Sequence, residues 1–197
     1  MKEITARQKE IIAAALAIIT DQGLEALTIE NIAARVGFSG AAVYRHFRNK
    51  AQILSTVIDL FASSSAQLLA EINACDCESL DKIQLFVLDR CRTFAGEPVL
   101  ATVMFAENLF QNDPHLAAKI HQMLGDHRQL LLKTIRSGQR QKTIRHLPAE
   151  HLFTMIMGSL RLLVMQWRVS GYSFDLMRAG KKLWRSIETL ISIPKRD

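Results

Sequence analysis

The sequence predicts an all-α protein, in which a short N-terminal helix-turn-helix region precedes a longer helical region. Apolar residues recur three and four positions apart along most of the chain, which is the spacing of helices with one buried face. The alternation typical of strands is absent, and the 197 residues include only four prolines. With 49% hydrophobic residues, the chain is long enough for one full domain or two small ones.

The first predicted helix runs from Ala6 to about Gln22. Thr5 and Gln8 have the spacing of a capping box, in which the threonine hydroxyl accepts an amide hydrogen bond and the glutamine side chain reaches back. Gly23 follows the last turn and ends the helix. The inward face of this helix consists of Ile11, Ile12, Ala15, Leu16 and Ile19.

The next stretch predicts two short helices joined by a tight turn. Thr28 is a good helix N-cap, and the helix that follows ends at Val36. Gly37 allows the positive φ of a sharp turn, and Ser39 caps a second helix from Gly40 to Phe47. Two short helices joined in this way form a helix-turn-helix unit, whose second helix enters the major groove of DNA.

A long helix from Asn49 to about Asn73 connects this unit to the rest of the chain. Ser79 is a candidate cap for the helix after it, and Asp113 is a candidate cap ahead of a proline, which suits a first helical turn. We therefore expect a DNA-binding domain at residues 1–48 and a second helical domain at residues 49–197. The remaining helices are predicted at residues 79–95, 98–111, 114–140, 149–170 and 174–192.

The helix-turn-helix stretch resembles the DNA-binding signature of the tetracycline-repressor (TetR) family. The run Tyr44-x-His46-Phe47-x-x-Lys50 behind Gly37 makes the resemblance specific, although its dense part covers only about a quarter of the chain. The resemblance implies a ligand pocket among the middle helices and a homodimer formed by the last two. The matching residues are Thr28, Ile32, Ala33, Val36, Gly37, Ser39, Val43, Tyr44, His46, Phe47 and Lys50.

Phosphate contacts fix the register of a protein on DNA, and base contacts read the sequence. The hydroxyls of Thr28 and Ser39 suit phosphate oxygens, and both residues also serve as helix caps. The phenol of Tyr44 and the ammonium of Lys50 suit phosphates too. The full set of predicted DNA contacts is Thr28, Ser39, Gly40, Ala41, Ala42, Tyr44, Arg45, His46 and Lys50.

The start of the second helix departs from the family pattern. Where the family commonly has a basic residue, a glycine and a threonine, this chain has Gly40, Ala41 and Ala42. Their side chains form no bidentate hydrogen bond to a base, although an alanine methyl can contact thymine. Direct readout therefore falls largely on Arg45, which can reach a guanine. His46 is interpreted as a packed or phosphate-facing residue.

Polar residues set among apolar ones are candidates for a ligand site. Arg161 stands among apolar residues and needs a partner, which is Glu107, an acid of a second subunit or an anionic ligand head group. The alternative is that the methionine and aromatic positions belong to the core. The predicted ligand contacts are Met104, Glu107, Asn108, Gln111, Met123, His127, Arg161 and Trp167.

The helix predicted at residues 149–170 is apolar around nearly its whole circumference. Such a helix must be buried on all sides, and a subunit interface supplies the missing partner. The last helix adds a second apolar stripe, which includes Leu183 and Leu190. Two such helices from each of two chains form an interface whose two-fold symmetry matches a palindromic operator.

Other kinds of chemistry are not indicated. No histidine pair or cysteine has the spacing of metal ligands, and no cofactor is expected. Nucleophile elbows, phosphate-binding glycine loops and carboxylate pairs are absent, so we expect no enzyme. The N-terminus lacks a signal-peptide core, and the longest apolar run, Leu152 to Trp167, falls short of the roughly 18 residues of a membrane span. We therefore expect a cytoplasmic protein without membrane contact.

Three cysteines, an odd number, fit a reduced compartment without a disulfide framework. Cys75 and Cys77 fall in a predicted loop. They are interpreted as ordinary surface thiols, with a redox switch as the alternative.

Charge is distributed unevenly within a net charge of +6. Residues 28–50 carry four basic and one acidic side chain, residues 51–119 carry four and nine, and residues 120–197 carry fourteen and five. DNA contact by the helix-turn-helix unit does not explain the C-terminal excess. It indicates either a solvated basic face or a weak attraction to nucleic acid or anionic metabolites.

Together these features predict a sequence-specific DNA-binding transcriptional regulator, a repressor that a small, largely apolar ligand releases from its operator. An alternative is a DNA-binding interaction protein whose C-terminal domain binds a protein partner and no small molecule.

Overall fold

The computed structural model describes residues 4–194, and within them it contains helices and no strand. The predicted all-α class is confirmed. One isolated antiparallel bridge joins Ile144 to Ser192. The helices are α1 (Ala6–Gln22), α2 (Ile29–Val36), α3 (Gly40–Tyr44), α4 (Lys50–Ala74), α5 (Ser79–Gly96), α6 (Pro98–Met104), α7 (Glu107–Asn112), α8 (Pro114–Arg140), α9 (Ala149–Val169) and α10 (Leu176–Ile191), with a 3-10 turn at Leu24–Ala26.

The predicted ends of α1 are confirmed, because both are set by local hydrogen bonds. The Thr5 hydroxyl accepts from the Gln8 amide at 3.2 Å, and the Gln8 side chain accepts from the Thr5 amide at 3.1 Å. Gly23 ends the helix at a φ of 86°, a conformation that glycine adopts without steric cost.

The single helix predicted at residues 98–111 is two helices, α6 and α7. The break follows the burial pattern: α6 buries five of its seven residues, whereas α7 buries none. The mostly buried stretch therefore ends at Met104. Asp113 is confirmed as the cap of α8, since its carboxylate accepts from the amides of His115 and Leu116 at 3.0 and 3.1 Å.

Ser79 does not cap α5 as predicted. Glu78 occupies the cap position without a side-chain hydrogen bond, and Ser79 is the first helical residue. The Ser79 side chain is buried and donates to Gln141 at 3.4 Å. Gly138 of α8 approaches this serine so closely that a Cβ on the glycine would lie 2.9 Å from the Ser79 Cβ.

The chain divides into two compact units, which differ from the predicted domains in being discontinuous. The N-terminal unit comprises residues 1–62 and 98–120, and the C-terminal unit comprises residues 63–97 and 121–197. α4 and α8 each contribute residues to both units. The core of the N-terminal unit includes Ile11, Ile18, Leu27, Ile32, Val43, Phe47 and Ile53. The core of the C-terminal unit includes Ile83, Phe86, Val87, Leu131, Ile135, Leu152, Ile156 and Trp184.

Within the C-terminal unit, α10 packs against α5 and α9. Its buried face is apolar apart from the Trp184 indole N–H. Gly180 permits the close approach to α5, because a Cβ at this position would lie 2.5 Å from the Cys91 sulfur. The buried residues of α10 are Leu176, Gly180, Trp184, Ile187 and Ile191.

α4 resembles a membrane-crossing helix in length and composition, and the loop after it corrects one expectation about the cysteines. α4 has the length and mean hydropathy, 1.4 over its most apolar window, of a membrane-crossing helix, although core helices of proteins without membrane spans share these features. Cys75 and Cys77 are joined in a disulfide with Cα atoms 5.4 Å apart, so they are not the surface thiols that we expected. Cys91 is a buried thiol, and burial raises its pKa to about 11.

Candidate DNA-binding site and the interior of the C-terminal unit

The turn between α2 and α3 is built by local hydrogen bonds and one glycine. The Thr28 hydroxyl accepts from the Asn31 amide at 3.1 Å at the start of α2. At the other end, Gly37 has a φ of 69° and a ψ of 29°, the left-handed conformation that ends many helices. The chain then reverses direction into Ser39, whose hydroxyl accepts from the Ala42 amide at 3.2 Å.

The short helix α3 is anchored by its apolar side. Val43 is 0% exposed and Phe47 is 1% exposed, so both belong to the core of the N-terminal unit. α3 ends at Tyr44, three residues before the predicted end, but the Phe47 amide still donates to the Val43 carbonyl at 3.0 Å. The opposite side of α3 faces solvent as a consequence.

The predicted DNA contacts differ in exposure. The polar and charged candidates Tyr44, Arg45 and Lys50 are exposed, the Tyr44 side chain to 52%. Arg45 and Lys50 form no ion pair within residues 4–194, whereas Arg35 of α2 is paired with Asp21 at 2.7 Å. Ser39 and Ala41 are also exposed, and the half-buried candidates are Thr28, Gly40, Ala42 and His46.

The eight predicted ligand contacts fall in both units. Met104, Glu107, Asn108 and Gln111 belong to the N-terminal unit, and Met123, His127, Arg161 and Trp167 belong to the C-terminal unit. The two methionines, His127 and Trp167 are buried. The exposed members are Glu107, Asn108, Gln111 and Arg161.

A cleft of about 480 Å³ in the N-terminal unit brings two of these residues together. Glu107 and Asn108 lie in its wall with Lys50, the first residue of α4. The other lining residues are Leu24, Glu25, Leu27, Leu54, Phe105, Ala106, Leu109 and Asn112.

His127 lies in the interior of the C-terminal unit, 3% exposed. Its Nε2 is 2.5 Å from the hydroxyl of Ser65, and its ring packs edge-on against Phe86 at 5.1 Å between centroids. Its Nδ1 is buried without a hydrogen-bond partner among the described residues. Burial and, secondarily, the positive charge of Arg90 lower the pKa of His127 to about 4, so the imidazole is neutral at neutral pH.

Arg90 is the buried cation of this unit, at 3% exposure, and the sequence analysis missed it. Its guanidinium lies 2.6 Å from the Asp89 carboxylate and 5.9 Å from the centre of the Phe86 ring. The arginine that we predicted to be enclosed by apolar residues, Arg161, is exposed. The sequence does contain a signal for the burial of Arg90, because its position lies on the apolar stripe of α5, in line with Ile83 and Phe94.

Two sequence profiles account for nearly the whole chain. The profile described as bacterial regulatory proteins of the tetR family matches residues 11–57. The profile described as the C-terminal region of YsiA-like proteins matches residues 58–189. The chain belongs to the TetR family. The resemblance inferred from residues 28–50 is thereby confirmed, and with it the assignment as a DNA-binding transcriptional regulator.

Two relatives align with most of the chain. A fatty acid metabolism regulator protein of Bacillus subtilis is 26% identical over 196 residues, covering 98% of this chain and 97% of its own. The nucleoid occlusion factor SlmA of Vibrio cholerae is 27% identical over 169 residues, covering 83% and 86%.

Solved structures share the whole TetR-family fold. The ketosteroid transcriptional regulator KstR2 of Mycobacterium tuberculosis superposes with a TM-score of 0.84 at 16% identity, over 98% of both chains. The regulator FadR of Bacillus subtilis in complex with stearoyl-CoA superposes with a TM-score of 0.72 at 23% identity, over 91% of this chain and 96% of that one. At these identities the similarity shows the fold alone.

The buried imidazole makes the stability of this TetR-family protein depend on pH. The pKa of His127 falls from 6.5 in the unfolded chain to about 4 in the folded one, so between these values the unfolded state binds more protons. We expect the free energy of unfolding to drop by roughly 3 kcal/mol as the pH falls from above 6.5 to 4, since each pKa unit corresponds to about 1.4 kcal/mol.

Urea unfolding at a series of pH values measures this dependence. His127→Gln removes the ionisable group and should flatten the curve between pH 4 and 6.5. His121→Gln, at an exposed position of the same helix, is the matched control and should keep the wild-type slope. Equal slopes in wild type and His127→Gln would show that the imidazole is not buried neutral.

Proposed function

We propose that this TetR-family protein is a cytoplasmic homodimeric repressor that binds a palindromic operator and releases it when an amphipathic ligand with an acyl chain enters the C-terminal unit. The observation that carries the DNA-binding part is the solvent-facing side of α3 and the start of α4. There, Tyr44, Arg45 and Lys50 are exposed on a frame fixed by buried Val43 and Phe47.

Side-chain chemistry decides which residues contact phosphates and which contact bases in this proposal. Ser39, Tyr44 and Lys50 contact phosphates on either side of α3, together with Thr28 at the start of α2. Gly40, Ala41 and Ala42 bring the backbone close to the base edges without hydrogen-bonding side chains. Arg45 is then the one long side chain on this side of α3 that can form a bidentate pair with guanine.

The interior of the C-terminal unit supports a ligand with a polar or anionic head group. Buried polar groups are costly unless they are paired, and His127 keeps an unpaired nitrogen next to Phe86, which also contacts the Arg90 guanidinium. Met123 and Leu131, four residues before and after His127 on α8, are buried as well. One relative regulates fatty acid metabolism, and one structural neighbour holds stearoyl-CoA. A fatty acyl-CoA or its free acid is therefore the ligand to test first.

Dimerisation is supported by the faces of α9. Its buried face packs within the C-terminal unit, whereas a second apolar stripe faces solvent at intervals of seven, three and four residues. This spacing is that of a helix-packing seam. The seam consists of Met155, Leu162, Met165 and Val169, with exposures of 49%, 50%, 44% and 76%.

Ligand and operator would communicate through α4. This helix begins with Lys50 and carries Ser65, the partner of His127, fifteen residues further on. A ligand changes DNA affinity only if it binds the operator-competent and incompetent states unequally. Displacement of the His127–Ser65 contact by a ligand provides such a difference. The protein-partner alternative is disfavoured, because it leaves this buried polar cluster without a role.

Arg45→Ala should abolish the preference at one base pair of each half-site and leave the others unchanged. Loss of a bidentate arginine–guanine pair costs about 1–3 kcal/mol at that position. Selection from a random duplex library identifies the operator, and competition with single-base variants measures the preference. Lys50→Ala is the contrast: it should weaken all sequences alike and reduce the salt dependence of binding by about one phosphate contact. An unchanged preference in Arg45→Ala would remove Arg45 as a reader.

Fatty acyl-CoA esters and the corresponding free acids should release the protein from the selected operator, as followed by fluorescence anisotropy. Arg90→Met should weaken this response about tenfold or more, because a hydrogen bond to a charged group contributes about 1.5–3 kcal/mol. Arg140→Met deletes the same charge at an exposed position of α8 that is not among the predicted ligand contacts, and should respond like wild type. If no compound of the series releases DNA or raises the melting temperature, the ligand class is wrong while the DNA-binding assignment stands.

Leu162→Glu should convert the dimer into a monomer by placing a charge in the centre of the α9 seam. Sedimentation velocity measures the oligomeric state directly. Leu124→Glu, at a leucine of α8 with 42% exposure, is the matched control and should remain dimeric. A dimer that survives Leu162→Glu but dissociates in the control would place the interface on α8.

A further inference from the structure

The solvent side of α10 carries a stripe of positive charge. Its four members, Arg178, Lys181, Lys182 and Arg185, are spaced as i, i+3, i+4 and i+7, which puts them on one side of the helix. All four are exposed. The opposite side of the helix holds Leu176, Trp184 and Ile191, buried against the C-terminal unit. We call these four residues the α10 basic stripe.

No acidic side chain of residues 4–194 forms an ion pair with this stripe. The Asp175 carboxylate is occupied as the N-cap of α10, accepting from the Arg178 amide at 2.9 Å. Other cations of the C-terminal unit do form ion pairs. Arg128 lies 2.6 Å from the Glu150 carboxylate, and Arg136 lies 3.8 Å from the same carboxylate. Among the described residues the cations of the stripe are therefore not ion-paired, and they are four of the fourteen cations in residues 120–197.

The chemistry of the stripe selects its partner. A membrane would require apolar side chains to enter the bilayer beside the charges, but the apolar residues of α10 are buried or half-buried in the fold, apart from the exposed Leu190, which lies beyond the last cation of the stripe. Arg178, Lys182 and Arg185 follow each other at about 6 and 4.5 Å along the helix axis. This spacing suits a line of fixed negative charges such as a phosphate backbone, and long flexible side chains accommodate its irregularity.

We propose that the α10 basic stripe binds the phosphate backbone of double-stranded DNA without sequence preference, as a contact separate from the helix-turn-helix unit. A dimer bound to its operator would then hold a second DNA segment. Each neutralised phosphate releases counterions, so the affinity of this contact falls as salt rises. In a plot of log affinity against log salt concentration, each phosphate contributes about −0.9 to the slope.

The test captures a second duplex on protein that is already bound to its operator. Wild type is loaded on an immobilised selected operator, and a fluorescent random-sequence duplex is added over a series of KCl concentrations. Wild type should retain the second duplex with a salt-dependent affinity. Lys181→Ala/Lys182→Ala should load on the operator like wild type but bind the second duplex at least tenfold more weakly, with the slope reduced by about two.

A matched variant separates the stripe from net charge. Lys133→Ala/Arg136→Ala removes the same two charges from exposed positions of α8, and should capture the second duplex like wild type. Equal loss in both variants would mean that total charge and not the stripe attracts DNA. Undiminished capture by Lys181→Ala/Lys182→Ala would overturn the proposal. The proposal would also be overturned if Lys181→Ala/Lys182→Ala lost binding to phosphatidylserine vesicles but not to the second duplex. The stripe would then bind a membrane surface and not DNA.

Discussion

The proposed DNA-reading surface depends on two buried side chains, one in α3 and one just after it, because α3 is too short to persist alone. Isolated helices below about twelve residues are marginal in water, and α3 has five residues and α2 eight. Val43 and Phe47 hold the second helix in the core, and the left-handed Gly37 fixes the direction from which it arrives. The exposed positions of Tyr44 and Arg45 follow from that anchoring, so core packing sets how the recognition residues are presented.

The C-terminal unit keeps polar groups where an apolar core would be more stable. His127 is neutral at neutral pH because burial lowers its pKa to about 4. Its Nδ1 lacks a hydrogen-bond partner within the described residues. Arg90 is tied to Asp89, yet it still brings a guanidinium to the Phe86 ring. A structural core gains little from such an arrangement, whereas a site completed by a ligand gains both affinity and selectivity from it.

Features fixed by neighbouring residues were predictable from the sequence, and features fixed by packing were not. The Thr5–Gln8 capping box, the Gly37 turn and the Asp113 cap involve groups within a few residues of each other. No glycine or proline near Met104 predicts the break in the helix. The break coincides with the end of the buried stretch, which depends on packing. Arg161 was expected to be enclosed because α9 is apolar around nearly its whole circumference, but part of that circumference, the seam included, is exposed. The residues assigned to DNA and ligand contact stay predictions.

The two exposed faces of the last helices respond to solution conditions in opposite directions. The α9 seam is apolar, and burial of apolar surface is insensitive to screening and is strengthened by excluded salts. The proposed contact of the α10 basic stripe with phosphates acts through charge, so it should decline steeply as salt rises. Leu162 and Lys182 lie on helices that pack against each other, yet the contacts proposed for them should depend differently on salt concentration. Subunit association through the proposed seam should therefore persist at ionic strengths that abolish the proposed non-specific DNA contact.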